Sequence, residues 1–160
     1  MGSEDISING IGPAQLNTSI ESLKKLSAVR DTALRADEGR PATAYVVSVG
    51  GTASVLIFVD EAKAIRQVTT SDALFRSSGG IGVGSTIAQL KQAHGRLCGG
   101  LGATGIEVWP AALKNVVYGT TAYPPKMPGS GTGLARDASA VPDTAHVTVA
   151  TISSTPRKCA

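Results

Sequence analysis

Residues 79–86 read Gly-Gly-Ile-Gly-Val-Gly-Ser-Thr, and residues 87–94 follow with the apolar spacing of an amphipathic helix. Thr86 and Gln89 have the spacing of a capping box, in which each residue satisfies a backbone N–H group near the other. Gly95 is a natural C-terminal stop for such a helix. The glycine-rich stretch therefore predicts a tight turn that leads into a short helix.

A phosphate-binding loop is the first alternative for this stretch. Gly79 and Gly84 have the required glycine spacing, but Ser85 stands where a P-loop has its phosphate-binding lysine. A dinucleotide fingerprint also fails, because the third glycine comes one position early. The free N–H groups of a helix N-terminus can still attract an anion. Gly82, Gly84, Ser85 and Thr86 are therefore the candidate residues of an alternative anion-binding or small-ligand-binding site.

A second stretch of the chain repeats this pattern. Residues 16–26 align with residues 83–93, and both contain a Ser/Thr cap followed by Ile-x-x-Leu or a close variant. Thr18 and Glu21 have capping-box spacing in the first copy, whose helix could run to about Leu34. The repeat predicts an α+β fold of two related loop–helix–antiparallel-strand units that pack two helices against a β-sheet.

Several runs have the composition of β-strands. The central runs form a predicted meander over residues 43–49, 53–59 and 64–70, with turns at 50–52 and 60–63. The run at 53–59 is the most continuously apolar and is predicted to be the central strand. Further strands are predicted within residues 6–16, 106–109, 116–118 and 146–152, whereas the glycine-rich residues 99–102 are predicted to form a loop.

The predicted domain organisation is simple. Residues 1–5 are expected to be a disordered start or the remnant of an expression tag, and residues 153–160 a C-terminal tail. Residues 6–152 are expected to form one α+β domain from two units, about 6–72 and 79–152. Because residues 123–142 are rich in Pro, Gly, Ser, Thr and Ala, they are predicted to form a mobile loop within that domain.

Composition and charge exclude some classes of function. With 42% apolar and 17% charged residues, the chain is typical of a globular protein. The net charge of +3 is spread along the sequence, without the basic stripe and interleaved aromatic residues of a nucleic-acid-binding protein. The apolar runs are too short for a membrane-spanning helix. We therefore expect neither nucleic-acid binding nor a membrane span.

Two features of the sequence bear on the cellular compartment of the protein. The polar, acidic start is unlike a signal peptide, although residues 1–3 match a common tag remnant, so a leader could have been removed. Cys98 and Cys159 would pair in an exported protein, whereas both would remain free thiols in the cytoplasm.

The glycine, the Ser/Thr cap and the following Ile-x-x-Leu resemble the repeated motif of small exported bacterial proteins of unknown function. They are similar to the helix–sheet unit of β-lactamase-inhibitor-protein-like folds and of small lipoproteins of outer-membrane assembly. The resemblance is clearest over residues 53–95 and weaker over residues 6–26, where Asn17 replaces the usual glycine. It implies a periplasmic or secreted protein, with its signal peptide removed, that has a non-catalytic binding role. The lipoprotein branch would need an N-terminal lipidated cysteine, which this sequence does not show.

The sequence contains no recognisable catalytic or metal-binding arrangement. His94, Cys98 and His146 lack the spacing of metal ligands, and no residue is placed to orient a Cys–His pair. The adjacent carboxylates at 37–38 and 60–61 fall in predicted turns, where solvated side chains are usual. We therefore expect a protein that is not an enzyme and has no cofactor or metal.

Three aromatic residues are the candidates for macromolecular binding. Trp109, Tyr118 and Tyr123 either pack in the core or form an exposed cluster beside the predicted loop. The expected function is that of an exported bacterial protein that binds a protein or envelope component through its sheet face or strand edges. The alternative is ligand binding at the glycine-rich loop, and the sequence leaves the oligomeric state open.

Overall fold

The protein folds mainly into β-strands. The computed structural model of the chain describes residues 5–26, 29–35, 41–49, 53–77, 79–101, 105–113, 115–121, 136–137, 141–155, 157 and 159. Within these ranges the helices are α1 (Ile20–Leu26) and α2 (Ile87–His94). The strands, in chain order, are β1 (Asp5–Ser7), β2 (Gly10–Ile11), β3 (Ala14–Gln15), β4 (Val29–Arg35), β5 (Pro41–Val49), β6 (Ala53–Val59), β7 (Ile65–Thr70), β8 (Arg76–Ser77), β9 (Leu97–Leu101), β10 (Ile106–Pro110), β11 (Val116–Thr120), β12 (Arg136–Asp137) and β13 (Val147–Ser153).

The described strands form two sheets. The large sheet has nine strands in the order β12-β9-β10-β11-β13-β7-β6-β5-β4, and every neighbouring pair is antiparallel. The small sheet has the order β3-β2-β1-β8, in which β1 and β8 are parallel. The β7–β13 pair joins the early strands of the large sheet to the late ones, so the sheet continues across most of the molecule.

The predicted fold class is wrong. Two helices packed on a sheet would make an α+β protein, whereas the described helices have only seven and eight residues and strands dominate the architecture. Both helix starts carry a genuine helical signal, but helices this short gain little stability from their own hydrogen bonds. Pairing in the large sheet satisfies far more of the backbone, so the sheet determines the fold.

Two local predictions fail for the same reason. The first helix ends at Leu26, and residues 29–35 form β4, in which all seven residues have partners in β5. The glycine-rich residues 99–101, predicted as loop, belong to β9 and pair with β10. In both cases long-range strand pairing overrides a weak local preference.

The predicted meander is confirmed. The strands predicted at 106–109, 116–118 and 146–152 are confirmed as well. Strands β5, β6 and β7 pair consecutively, as do β10 and β11, and β13 lies between β11 and β7. The predicted turn at 50–52 lies outside the described residues, as does most of the predicted loop at 123–142. The division into units 6–72 and 79–152 stays a prediction.

Each helix is attached to the large sheet just before its first turn. Before α1, the Asn17 N–H donates to the Ile65 carbonyl at 2.8 Å, and the Ile65 N–H donates to the Thr18 carbonyl at 2.8 Å. Before α2, the Gly84 N–H donates to the Val147 carbonyl at 2.8 Å, and the Val147 N–H donates to the carbonyl of residue 85 at 2.8 Å. Each segment that leads into a helix is therefore hydrogen-bonded to the first residue of a central strand, Ile65 of β7 or Val147 of β13.

The helix caps differ between the two sites. At α2 the predicted capping box is present, with reciprocal hydrogen bonds of 3.2 Å and 2.8 Å between Thr86 and Gln89. At α1 the predicted Thr18–Glu21 box is absent, because the helix begins one residue later than that box requires. Ser19 accepts the Glu21 N–H at 3.1 Å instead, and the Thr18 hydroxyl donates to the Gln15 carbonyl.

The main core lies between the inner face of the large sheet and a layer made of the small sheet and both helices. Buried aliphatic and aromatic side chains from all these parts form one cluster, which includes Ile6, Ile11, Ile20, Leu23, Tyr45, Val47, Ile57, Val68, Phe75, Ile87, Leu90, Val108, Tyr118 and Ile152. Because this layer covers the inner face, the opposite face of the large sheet is left to be covered by other means.

Candidate functional site

The outer face of the large sheet is the main candidate for a binding surface. Backbone register places Val46 opposite Leu56, Leu56 opposite Thr69, and Thr69 opposite Thr151. Directly paired residues point to the same face of a sheet, so these four side chains form a row across β5, β6, β7 and β13. Val117 lies opposite Thr151 and continues the row into β11.

One half of this face is open. We define the open face by eight residues of intermediate or full exposure on β5, β6, β7 and β13, which are Val46, Ser48, Ser54, Leu56, Phe58, Gln67, Thr69 and Thr151. Arg66, at the register shift of β7, is also exposed and is not counted among them. None of these eight side chains is charged. Strand β6 alternates between buried residues and these outward ones, which is the pattern of a strand with a core side and a free side.

The other half of the face is closed. Cys98, Trp109 and Val117 form a separate buried cluster, against which Ala111 and Cys159 pack. Trp109 is only 1% exposed. The separate cluster shows that the second half of the sheet has its own small core on the outer side.

The C-terminal tail provides the cover. A disulfide joins Cys98 to Cys159, with the Cα atoms 5.7 Å apart. The Arg157 guanidinium lies 5.4 Å from the centre of the Trp109 ring, and one of its N–H groups donates to the Glu107 carboxylate at 2.7 Å. The tail is therefore held against the sheet by a covalent bond, a cation–π contact and an ion pair.

A glycine makes room for the indole ring on this side. A Cβ atom added at Gly100 would lie 3.2 Å from the Trp109 ring, closer than normal van der Waals contact. Gly100, in a stretch with the composition of a loop, therefore leaves room for the Trp109 ring beside β9.

Thr69 and Thr151 mark the boundary between the open and closed halves. Their hydroxyl oxygens are 2.7 Å apart, and one donates to the other across β7 and β13. This side-chain hydrogen bond reinforces the strand pair that joins the two ends of the large sheet.

Of the three predicted binding residues, the described two are buried. Trp109 and Tyr118 are each 1% exposed, and they belong to different clusters, Trp109 on the outer side and Tyr118 in the main core. Burial raises the pKa of Tyr118 to about 12, so its phenol stays neutral. Tyr123 lies outside the described residues. Trp109 and Tyr118 therefore contribute to packing and do not form an exposed aromatic cluster.

The glycine-rich loop is closed by internal hydrogen bonds. The Ser85 hydroxyl oxygen accepts the Gly82 N–H at 3.0 Å and an N–H of Arg76 at 3.2 Å. Arg76 also donates to the Val83 carbonyl at 3.1 Å. Arg76, whose charge could attract a phosphate, is thus bound to the loop itself.

The N–H groups at the start of α2 are also occupied. The N–H groups of Gly84, Thr86 and Ile87 donate to oxygens of residues 147, 89 and 145. Gly84 has φ of 94°, a conformation that glycine adopts without strain, so its role is to make the turn. An anion at this helix N-terminus would have to break existing hydrogen bonds, and nothing in the geometry favours the anion-binding alternative.

No metal site is assembled in the described part of the chain. No group of three or more His, Cys, Asp or Glu side chains could hold a metal ion there. Cys98 is bound in the disulfide and is not a free thiol. The described ranges also include no helix that is long and apolar enough to cross a membrane.

The open face was not predicted, although the sequence carries a signal of it. Residues 53–59 form the most continuously apolar run, which favours a strand buried on both sides. Ser54 within that run, followed by Leu56 and Phe58 at a period of two, marks a second face that is less deeply covered.

Comparison with known proteins supports the fold. Neither a protein-family model nor a curated protein matches the sequence. Among solved structures, the chain is similar to the uncharacterized protein yfeY from Escherichia coli, with a TM-score of 0.61 and 14% sequence identity. The match covers 93% of this chain and 99% of that protein. At this identity the likeness concerns the fold, which the two chains share over nearly their whole length.

Proposed function

We propose that this is an exported bacterial protein that binds a partner protein through the open face of its large sheet. The role is non-enzymatic, and the partner is a protein of the envelope or the extracellular medium. The observation that supports the proposal most strongly is the partly exposed apolar pair Leu56 and Phe58 among uncharged side chains on the open face.

The composition of this face fits the centre of a protein–protein interface. Such centres are depleted in charged residues, while aliphatic and aromatic side chains supply most of the binding free energy. Leu56 and Phe58 are the apolar anchors on β6, and the hydroxyl groups of Thr69 and Thr151 lie beside them. A flat β-surface of this kind fits another protein better than it fits a small molecule, which needs a concave site.

The disulfide supports the exported location. Disulfides persist in oxidising compartments such as the periplasm and are rare in the bacterial cytoplasm. The Cys98–Cys159 bond is compatible with such a compartment. The similarity of the sequence motif to small exported bacterial proteins, noted above, points to the same location.

The test places a charge in the centre of the open face. Leu56→Asp should abolish capture of the partner from envelope and culture-supernatant fractions, because a carboxylate would be buried without a counter-charge in the interface. A photo-crosslinking amino acid at position 46 identifies the protein that lies on the face. Binding should then be reproduced with the purified partner, at an affinity that Leu56→Asp lowers at least tenfold.

Leu74→Asp is the matched control, because Leu74 is 44% exposed and lies outside the open face. It should capture the same partner as the unmodified protein. If both variants retain the crosslinked protein, or if both lose it equally, the open face is not the binding surface. If the unmodified protein self-associates and Leu56→Asp abolishes this self-association, the partner on the open face is a second copy of this chain.

A further inference from the structure

A cavity of about 410 Å³ lies between the small sheet, the end of α2 and strand β11. Its apolar wall is formed by Ile6, Ile8, Leu113, Val116 and Tyr118. The volume falls within the range of pockets that bind small molecules, about 300–1,000 Å³. It lies on the inner side of the large sheet and is therefore separate from the open face.

Three polar side chains contribute to the same wall. They are Ser7, Ser77 and His94. The Ser7 oxygen accepts the Asn9 N–H at 3.1 Å, and the Ser77 oxygen accepts the Ile81 N–H at 3.2 Å. Both hydroxyl groups are thus oriented by the small sheet and its turns.

The cavity wall carries no formal charge near neutral pH. Burial lowers the pKa of His94 below its ordinary value, so the imidazole is neutral there. Its buried Nε2 atom has no hydrogen-bond partner among the described residues. With the imidazole proton on Nδ1, Nε2 is the acceptor, and a rotation of the ring brings it to the cavity so that His94 accepts a hydrogen bond from a ligand.

Ile8 lies at the exposed edge of the cavity. Ile8 is 47% exposed, and its carbonyl accepts a hydrogen bond from the Asn115 side chain, which ties the β1–β2 turn to the start of β11. The same residue borders a neighbouring cleft that contains Asn9 and Arg66. The cavity therefore opens toward a polar surface, so that a ligand with an apolar body could keep a polar end near water.

We infer that this cavity is a binding site for a small neutral molecule that is mainly apolar and carries one hydrogen-bond donor. The apolar wall accommodates the body of the molecule, and His94 accepts its donor. A charged ligand would lose its hydration without meeting a counter-charge in the wall, which makes binding unfavourable. The inference does not depend on the partner protein proposed above.

Two fluorescent probes with the same ring system test the charge requirement. N-phenyl-1-naphthylamine is neutral and has one N–H donor, whereas 8-anilinonaphthalene-1-sulfonate adds a sulfonate to the same skeleton. The neutral probe should bind with saturation at one molecule per chain and at least tenfold more tightly than the sulfonate. It should also raise the melting temperature, because it binds the folded protein. Equal affinity for both probes, or no saturable binding, would overturn the proposal.

Variants locate the site. Leu113→Trp should fill the cavity and weaken binding of the neutral probe at least tenfold, whereas Leu74→Trp, at an exposed position elsewhere, should leave it unchanged. Leu56→Asp should also leave it unchanged, which separates the cavity from the open face. If Leu74→Trp or Leu56→Asp weakens binding of the neutral probe and Leu113→Trp does not, the probe binds outside the cavity. That result would overturn the proposal.

The role of His94 has its own measurement. His94→Leu should weaken binding of the neutral probe about fivefold, the value expected for one hydrogen bond. The same variant should not weaken binding of naphthalene, which has no donor. Loss of both ligands to the same extent would show that His94 only shapes the cavity. That result would contradict the hydrogen bond.

Discussion

The two halves of the outer face are built from similar antiparallel strands but have different covers. Trp109 is 1% exposed beneath the C-terminal tail, whereas Phe58 on the open half is of intermediate exposure and has no comparable cover among the described residues. A single tail, held by one disulfide, accounts for the difference. The comparison shows that an apolar outer row can serve stability on one half of a sheet and remain available for binding on the other half.

The largest expected effect comes from removing an anchor on each half. Trp109→Ala should lower the free energy of unfolding by about 3–5 kcal/mol, because it leaves a cavity beneath the tail. Phe58→Ala should lower it by only about 1 kcal/mol, because this side chain is already partly in water. Urea denaturation of both variants measures the difference. Equal losses would mean that the two halves are equally buried in solution.

Removing the disulfide should have the next largest effect. The double variant Cys98→Ser, Cys159→Ser should lose about 2–4 kcal/mol of unfolding free energy, since the bond closes a long loop in the unfolded chain. Trp109 fluorescence should also shift to longer wavelength as water reaches the ring.

Reduction of the unmodified protein with dithiothreitol provides the control for the serine substitutions. It should reproduce both changes. An unchanged Trp109 spectrum after reduction would show that the closed half is covered without the disulfide, which would contradict the comparison.

A smaller effect is expected at the boundary between the halves. Thr69→Val removes one partner of the 2.7 Å hydroxyl pair while keeping the shape of the side chain. It should lower the free energy of unfolding by about 1 kcal/mol. Thr69→Ser, which keeps the hydroxyl group, should recover part of the loss. If Thr69→Val and Thr69→Ser are equally stable, the hydroxyl pair does not contribute.

The smallest effect is expected at Arg157. Its ion pair with Glu107 is partly exposed, so Arg157→Ala should lower the free energy of unfolding by less than about 1 kcal/mol. Part of this loss should persist in 1 M salt, because the cation–π contact with Trp109 is screened less than an exposed ion pair. Arg157→Lys is the matched control, since it keeps the charge. Complete loss of the effect in salt would mean that the contact with the ring is not stabilising.

Local patterns in the sequence predicted the structure around α2 and in the central meander. The α2 capping box, the Gly95 stop and the β5–β6–β7 meander follow from side-chain spacing and turn residues, which act over a few positions. The fold class was wrong, because the sequence gives no direct measure of how far strands extend by pairing. Residues 29–35 form β4 since β5 is available as a partner, and no local pattern contains that information.

The candidate site was less predictable than the fold. The sequence pointed to Trp109 and Tyr118 as aromatic candidates, but each is buried because a different layer covers it. The open face became visible only when the register placed Leu56 beside residues 46 and 69. Exposure depends on what packs above a residue, and that depends on the whole chain.

The sequence by itself determined the start of α2, the central strands and the absence of a basic nucleic-acid-binding stripe, because these depend on residue type and short spacing. The tertiary structure decided that the sheet dominates, that the Cys98 and Cys159 sulfurs meet, and that one half of the outer face is closed while the other is open. The physical reason is that burial and strand pairing are long-range properties. A leucine on the core side of a strand cannot be told by its residue type from a leucine on the outer side. Only the packing around the strand decides which of the two faces water.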